Sequence, residues 1–283
     1  MIDKNNNTIR AGVIGWPISH SLSPRLHGFW LKQFNIDGEY LPIAVEPKDF
    51  DAKIKSLSKD GFAGFNITVP HKETAFELVD ELTDTARQIG AVNTIVCYEN
   101  GHLKGDNTDA FGFISNIETT IPSWEPKHAP ALVLGAGGAA RAVISALQAA
   151  GVPEIRICNR TRERAEELAT HFGKLNVVDW NTRSEACDGA GLLVNTTTLG
   201  MVGKPSLEIN IDQLSIGAIV NDIVYVPLKT DLLKAAETQG FKAVDGLGML
   251  LHQARPGFEA WFGQRPEVTG GLRAHVLAGL GNS

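Results

Sequence analysis

Ala131-Leu-Val-Leu134-Gly135-Ala-Gly137-Gly138-Ala-Ala140-Arg141-Ala-Val143 decides the fold of this chain. Four apolar residues ending at Leu134 read as a buried parallel strand. Gly135 permits a sharp turn and Gly137 a close approach of a ligand to the backbone. Ala140 takes the third position of a G-x-G-x-x-G/A turn and is small enough for a helix to pack on the strand. The helix that follows offers free N–H groups and a partial positive charge, which suits a pyrophosphate. Glycine clusters also form ordinary turns, so the flanking sequence has to decide.

Downstream, strand candidates recur at 154–158, 175–178, 191–194, 217–223 and 242–244. Helical patterns lie between most of them, notably Thr161 to Phe172 and Leu228 to Gln239. This is the βαβ rhythm of a doubly wound parallel sheet. It breaks after Asp245-Gly246-Leu-Gly248, where Met249 to Phe262 and Glu267 to Leu280 read as two consecutive helices. Upstream, strands are expected at Ile9–Gly15, Glu39–Val45, Phe62–Val69 and Ala91–Cys97, with a hairpin turn at Asn100-Gly101. Ser23 is expected to cap a helix whose first position is Pro24, and Pro70 to start another. The predicted class is therefore α/β with two domains. An N-terminal α/β substrate domain, 1–108, is completed by C-terminal helices, 246–283. A Rossmann-like dinucleotide-binding domain occupies 109–245.

The 283 residues suffice for two cores. A net charge of −6 leaves no basic footprint for nucleic acid. The polar stretch Met1 to Arg10 has no apolar segment of a secretory signal, and no run approaches a membrane span. A cytoplasmic protein with no nucleic-acid or membrane partner is expected. Cys97, Cys158 and Cys187 are far apart and odd in number, which favours free thiols. His20, His27, His71 and His252 lack metal-ligand spacing, and no metal is expected.

A dinucleotide site that selects NAD usually carries an acid at the end of the second strand, where it accepts from the ribose 2′-hydroxyl. Here that strand ends in Asn159-Arg160-Thr161-Arg162-Glu163-Arg164. The acid is missing and three arginines stand close by, a set that suits the dianionic 2′-phosphate of NADP. Arginines also decorate exposed helix starts. Cations near a helix N-terminus oppose its dipole, however, and an anion there would explain them. In the first domain, Lys72 sits on a strand-to-helix junction and Asp109 opens a helix at the domain boundary. A lysine and a carboxylate can move a proton to or from a hydroxyl undergoing oxidation. Each has a plainer reading, as a solvated lysine and an N-cap. Ser21 and Ser23, with alternate spacing, can aim two hydroxyls at a carboxylate or act as caps. Thr196-Thr197-Thr198 either lines a nicotinamide cleft or forms a polar loop.

Several stretches match one family in order. They are His20-Ser21-Leu-Ser23-Pro24, Asn66-Ile-Thr68-Val-Pro70-His71-Lys72, Gly90-Ala-Val-Asn93-Thr94, Gly105-Asp-Asn-Thr-Asp109, Gly135-Ala-Gly-Gly-Ala139, Asn159-Arg-Thr161 and Asp245-Gly-Leu-Gly-Met249. From about Gly12 to Gln253 the chain resembles the shikimate dehydrogenases. The resemblance implies reversible reduction of 3-dehydroshikimate to shikimate with NADPH, on the route to chorismate and aromatic amino acids. It implies Ser21 and Ser23, helped by Tyr225, at the substrate carboxylate, and Thr68, Asn93 and Gln253 at the ring hydroxyls. Lys72 and Asp109 form the implied catalytic pair, with Lys72 favoured as proton donor and Asp109 orienting the substrate hydroxyl and tuning Lys72. Gly135, Ala136, Gly137, Gly138 and Ala139 would hold the pyrophosphate, and Asn159, Arg160, Thr161 and Arg164 the adenosine end. Ile223 and Gly246 would line the nicotinamide, and Asp84 matches a position near the cofactor. The implied assembly is a monomer or homodimer. His71 departs from a commoner apolar residue and would either shift the pKa of Lys72 or have no effect on it. Two alternatives stay open: a quinate/shikimate dehydrogenase using NAD, and a non-enzymatic NADPH-binding regulator.

Overall fold

The computed structural model describes residues 8–280. The chain divides into two compact units, one made by residues up to Thr108 together with those from Gln253 onward, the other Asp109–His252.

The first unit runs β1 (Ile9–Gly15), α1 (Ser23–Gln33), β2 (Gly38–Ala44), α2 (Phe50–Lys59), β3 (Phe62–Ile67), α3 (Lys72–Leu78), β4 (Glu81–Leu82), α4 (Asp84–Ile89), β5 (Thr94–Cys97) and β6 (Leu103–Asp106). Its mixed sheet has the order β2-β1-β3-β5-β6-β4. β1 pairs in parallel with β2 and β3, whereas the hairpin at Asn100-Gly101 makes β5 and β6 antiparallel. Phe50, Ile54 and Leu57, one face of α2, pack with Phe65, Ile67 and Ile95 into its core. The periodicity of three and four residues that predicts α2 is thus the face it buries.

The second unit runs α5 (Asp109–Thr120), β7 (Ala131–Leu134), α6 (Gly138–Ala150), β8 (Ile155–Cys158), α7 (Arg162–Phe172), β9 (Leu175–Val178), β10 (Leu192–Asn195), β11 (Ile219–Asp222), α8 (Asp231–Thr238) and β12 (Lys242–Val244). The sheet is all parallel, in the order β12-β11-β10-β7-β8-β9. β7 is fully buried, and its residues alternate between two cores. Ala131 and Val133 join Val143, Ile144 and Leu147 of α6 on one face. Leu132 and Leu134 join Leu232, Leu233 and Ala236 of α8 on the other. A strand covered on both faces reads as an uninterrupted apolar run, which is why Ala131–Leu134 shows no alternation in sequence. After β9 the chain returns to the far side of β7, so the order reverses between β7 and β10. Ligands of open α/β sheets bind at such a switch point, beyond the carboxyl ends of the strands.

α9 (Gly246–Phe262) contains the junction at Gln253, and α10 (Gly270–Leu277) follows. In the first unit, Trp261 donates from Nε1 to the Ile95 carbonyl at 3.0 Å, and Phe258 packs against Trp30 with ring centroids 5.3 Å apart. These contacts seat the C-terminal segment on the first sheet.

Two expected helix starts shift. α1 begins at Ser23 behind Leu22, with no side-chain cap. The Leu22 carbonyl already accepts from Leu26 N at 3.0 Å, so Ser23 stands inside the first turn, not at the cap. α3 begins at Lys72, not Pro70, because His71 N bonds to the Thr68 carbonyl at 3.0 Å and makes a turn ahead of the helix. The strand expected over Ala91–Cys97 is regular only from Thr94, and the one over Phe62–Val69 ends at Ile67.

His27 is fully buried, with its ring stacked 3.8 Å from that of Tyr40 and, among the described residues, no hydrogen-bond partner on either nitrogen. Burial pulls its pKa down to about 3, against a smaller opposite pull from Asn66. The neutral ring therefore supports the fold fully only above its unfolded value near 6.5, and that support is lost as pH falls toward 3. Each pH unit in that window is worth about 1.4 kcal/mol. Between pH 7 and pH 5, urea unfolding of the wild type should lose about 2 kcal/mol that His27→Phe does not lose. Equal losses in both proteins would remove His27 from the acid response.

Candidate active site

In the first unit, the predicted substrate residues gather at the carboxyl ends of β1 and β3. Ser21 Oγ accepts from Ser23 N at 3.3 Å, which holds the two serines together, and Ser23 is buried. Thr68 N bonds to the Ile14 carbonyl at 2.9 Å, so the segment leading to Lys72 is anchored on β1. The Lys72 carbonyl accepts from Val92 N at 2.9 Å, which places α3 beside Asn93. Asn93 is almost fully buried. Its amide donates to Gln253 Oε1 at 3.2 Å and to Thr108 Oγ1 at 3.0 Å, and its oxygen accepts from Thr108 N at 2.8 Å. Asn93 and Gln253, 160 residues apart in sequence, thus meet directly.

Asn66 and Tyr40 belong to the same network, although neither is among the candidate site residues. The Tyr40 phenol donates to Asn66 Oδ1 at 2.6 Å, and Asn66 Nδ2 donates to the Asn93 carbonyl at 3.2 Å. A polar asparagine at the end of a buried strand is the signal that could have found Asn66. His71 turns into the core. Its Nε2 lies 2.8 Å from the Val45 carbonyl, its ring stacks on Phe50 at 4.5 Å, and burial lowers its pKa. The buried setting and the lowered pKa both favour its neutral form beside Lys72. Asp84 is exposed in the first turn of α4 behind the Thr83 cap, an ordinary place for an acid.

In the second unit, Asp109 is the first residue of α5 and is buried. Gly135 has φ +109°, and a Cβ there would stand 2.5 Å from Thr196 Oγ1, so both backbone and space demand glycine. Gly135 N bonds to the Cys158 carbonyl at 2.8 Å, which brings Asn159 and Arg160 next to the turn. Gly137 caps α6 with no side chain, and a Cβ there would meet nothing within 4 Å. An open cradle at a helix N-terminus fits a pyrophosphate.

The three arginines differ. Arg162 is held by Glu166 at 2.8 Å and Asp179 at 2.6 Å. Arg160 is exposed and makes no ion pair or hydrogen bond among the described residues, and Arg164 is exposed on α7. Thr161 caps α7 without using its hydroxyl, and Asn159 Nδ2 donates to the Thr161 carbonyl at 2.7 Å. An uncommitted guanidinium with no acid at the strand end fits a phosphorylated ribose.

Ile223 and Gly246 meet, since a Cβ on Gly246 would run into the Ile223 carbonyl. Tyr225 is half-buried in the loop after β11. The threonine loop is largely self-satisfied. Thr196 Oγ1 donates to the Leu134 carbonyl at 2.7 Å and Thr197 Oγ1 to Asn195 Oδ1 at 2.7 Å, whereas Thr198 is exposed. Among the described residues no cluster suits a metal ion, and no helix is long and apolar enough to cross a membrane.

Three family models match the chain: the shikimate dehydrogenase substrate binding domain at 13–95, shikimate/quinate 5-dehydrogenase at 119–198, and the shikimate 5′-dehydrogenase C-terminal domain at 246–274. A shikimate dehydrogenase (NADP(+)) of Paramagnetospirillum magneticum is 60% identical over 269 residues, 95% of this chain and 98% of the relative. The shikimate 5-dehydrogenase of Thermus thermophilus, solved with NADP(H) and shikimate, superposes with a TM-score of 0.85 at 36% identity, covering 96% of this chain and 100% of that one. A quinate dehydrogenase of Corynebacterium glutamicum, solved with NAD, superposes with a TM-score of 0.88 at 31% identity, covering 96% and 99%. The doubly wound sheet and open glycine turn define an α/β protein of the dinucleotide-binding class. Within that class, the chain belongs to the shikimate dehydrogenase family.

Proposed function

We propose that the protein interconverts 3-dehydroshikimate and shikimate with NADP, on the route to chorismate and aromatic amino acids. The observation that carries the cofactor choice is Arg160 beside the glycine turn, exposed and without an ion pair among the described residues, where an NAD enzyme would place an acid. Gly135 to Ala139 hold the pyrophosphate through backbone N–H groups, Asn159, Arg160, Thr161 and Arg164 take the adenosine end, and Ile223 and Gly246 line the nicotinamide. NADPH supplies the hydride when bound. Ser21 and Ser23 donate hydroxyl hydrogen bonds to the substrate carboxylate, joined by Tyr225. Thr68, Asn93 and Gln253 orient the ring hydroxyls. The Lys72 ammonium gives its proton to the carbonyl oxygen as that oxygen becomes a hydroxyl, and in the reverse direction neutral Lys72 takes it back. Asp109 holds the substrate hydroxyl in line. The protein is expected in the cytoplasm, as a monomer or homodimer.

The test is stoichiometric. Shikimate and NADP+ should give one NADPH per 3-dehydroshikimate formed. NADPH binding without turnover would instead support a regulator that kept the fold.

A further inference from the structure

Asp222 is a fully buried carboxylate whose hydrogen-bond donors are all neutral. It ends β11, and the chain continues directly into Ile223-Val-Tyr225. Its Oδ1 accepts from Asn195 Nδ2 at 3.0 Å and from Val224 N at 3.0 Å, and its Oδ2 accepts from Thr230 Oγ1 at 2.7 Å. Those donors come from three places: the end of β10, the loop after β11, and the cap of α8. Asn195 is itself fixed, with Nδ2 also donating to the Leu199 carbonyl at 3.2 Å and Oδ1 accepting from Thr197 N at 3.0 Å. One carboxylate therefore pins both ends of the segment from Ile223 to Thr230. Burying an acid without a cation is costly, and burial lifts this one's pKa to about 6 against the pull of its three donors. An apolar residue would fill the space but tie none of the three segments.

We infer that Asp222 is a positioning residue for the reaction: it holds the Ile223–Tyr225 segment so that Ile223 meets the nicotinamide and Tyr225 the substrate carboxylate. This rests on the roles proposed above for Ile223 and Tyr225. The glycine turn and Arg160 lie on other loops, so the grip on the rest of the cofactor does not depend on it.

Asp222→Asn keeps the size and one acceptor oxygen. It can still receive Asn195 and Val224 but faces Thr230 Oγ1 with an amide. Thr230→Val removes the same bond from the other side. Steady-state kinetics of Asp222→Asn should show KM for shikimate raised about tenfold and kcat lowered about tenfold. Fluorescence titration should leave Kd for NADPH within about twofold. Thr230→Val should repeat the change in KM at about threefold. A residue that only supports the fold would lower the active fraction and leave both KM and turnover per NADPH site unchanged, and that outcome overturns the inference. If Asp222→Asn binds no NADPH because it fails to fold, Thr230→Val decides. A wild-type protein inactive with shikimate would instead refute the proposed reaction.

Discussion

Lys72→Ala lowers kcat by about two to four orders of magnitude, the usual scale for losing general acid–base help, and leaves KM for NADPH within about twofold. The structure separates this loss from damage to the fold. Lys72 is the first residue of α3, and its backbone carbonyl accepts from Val92 N. Alanine keeps that bond. It is also a better helix former, and it removes a cation from a first turn whose dipole disfavours one. Thermal melting followed by circular dichroism should show a folded variant while turnover collapses. His71 does not complicate the reading, because its ring is buried against Phe50 and its pKa is pushed down. Steady-state kinetics with both substrates decide the point. A rise in both KM values with kcat unchanged would make Lys72 a binding residue and leave the proton transfer without a donor.

Arg160→Ala should raise KM for NADPH about 10- to 100-fold, the range expected when a phosphate loses one or two charge-assisted hydrogen bonds. KM for NADH should change by less than about twofold. Arg162 provides the internal control. Its guanidinium is held by Glu166 and Asp179, both exposed, so Arg162→Ala removes only solvent-screened surface ion pairs and should alter neither cofactor's KM appreciably. If Arg160→Ala weakens NADPH and NADH equally, Arg160 does not read the 2′-phosphate, and the cofactor preference must reside elsewhere.

The parallel sheet was legible because its central strands β7, β10 and β11 are buried throughout and appear as apolar runs, with helical patterns between most of the strands. The glycine turn was legible because Gly135 answers to two local demands, a positive φ and the approach of Thr196. Helix starts were less legible. Ser23 and Pro70 look like caps by residue type, but the hydrogen bonds of Leu22 and Thr68 decide where each helix begins. The three arginines are alike in sequence, and only the placement of Asp179 and Glu166 shows that Arg162 is committed to acids while Arg160 is not. The contact of Asn93 with Gln253 joins residues 160 positions apart, and no local pattern could bring them together. Asp222 left a trace, an acid two residues after the apolar stretch Ala218-Ile-Val220, but its partners Asn195 and Thr230 come from the end of β10 and the cap of α8.

The central claim is that this protein oxidises shikimate and reduces NADP+, although a quinate dehydrogenase solved with NAD shares its fold. The direct measurement is kcat/KM for shikimate and quinate, each with NADP+ and NAD+, on one preparation. Shikimate with NADP+ should give the highest value of the four. A higher value for quinate with NAD+ would contradict the account at both the substrate and the cofactor.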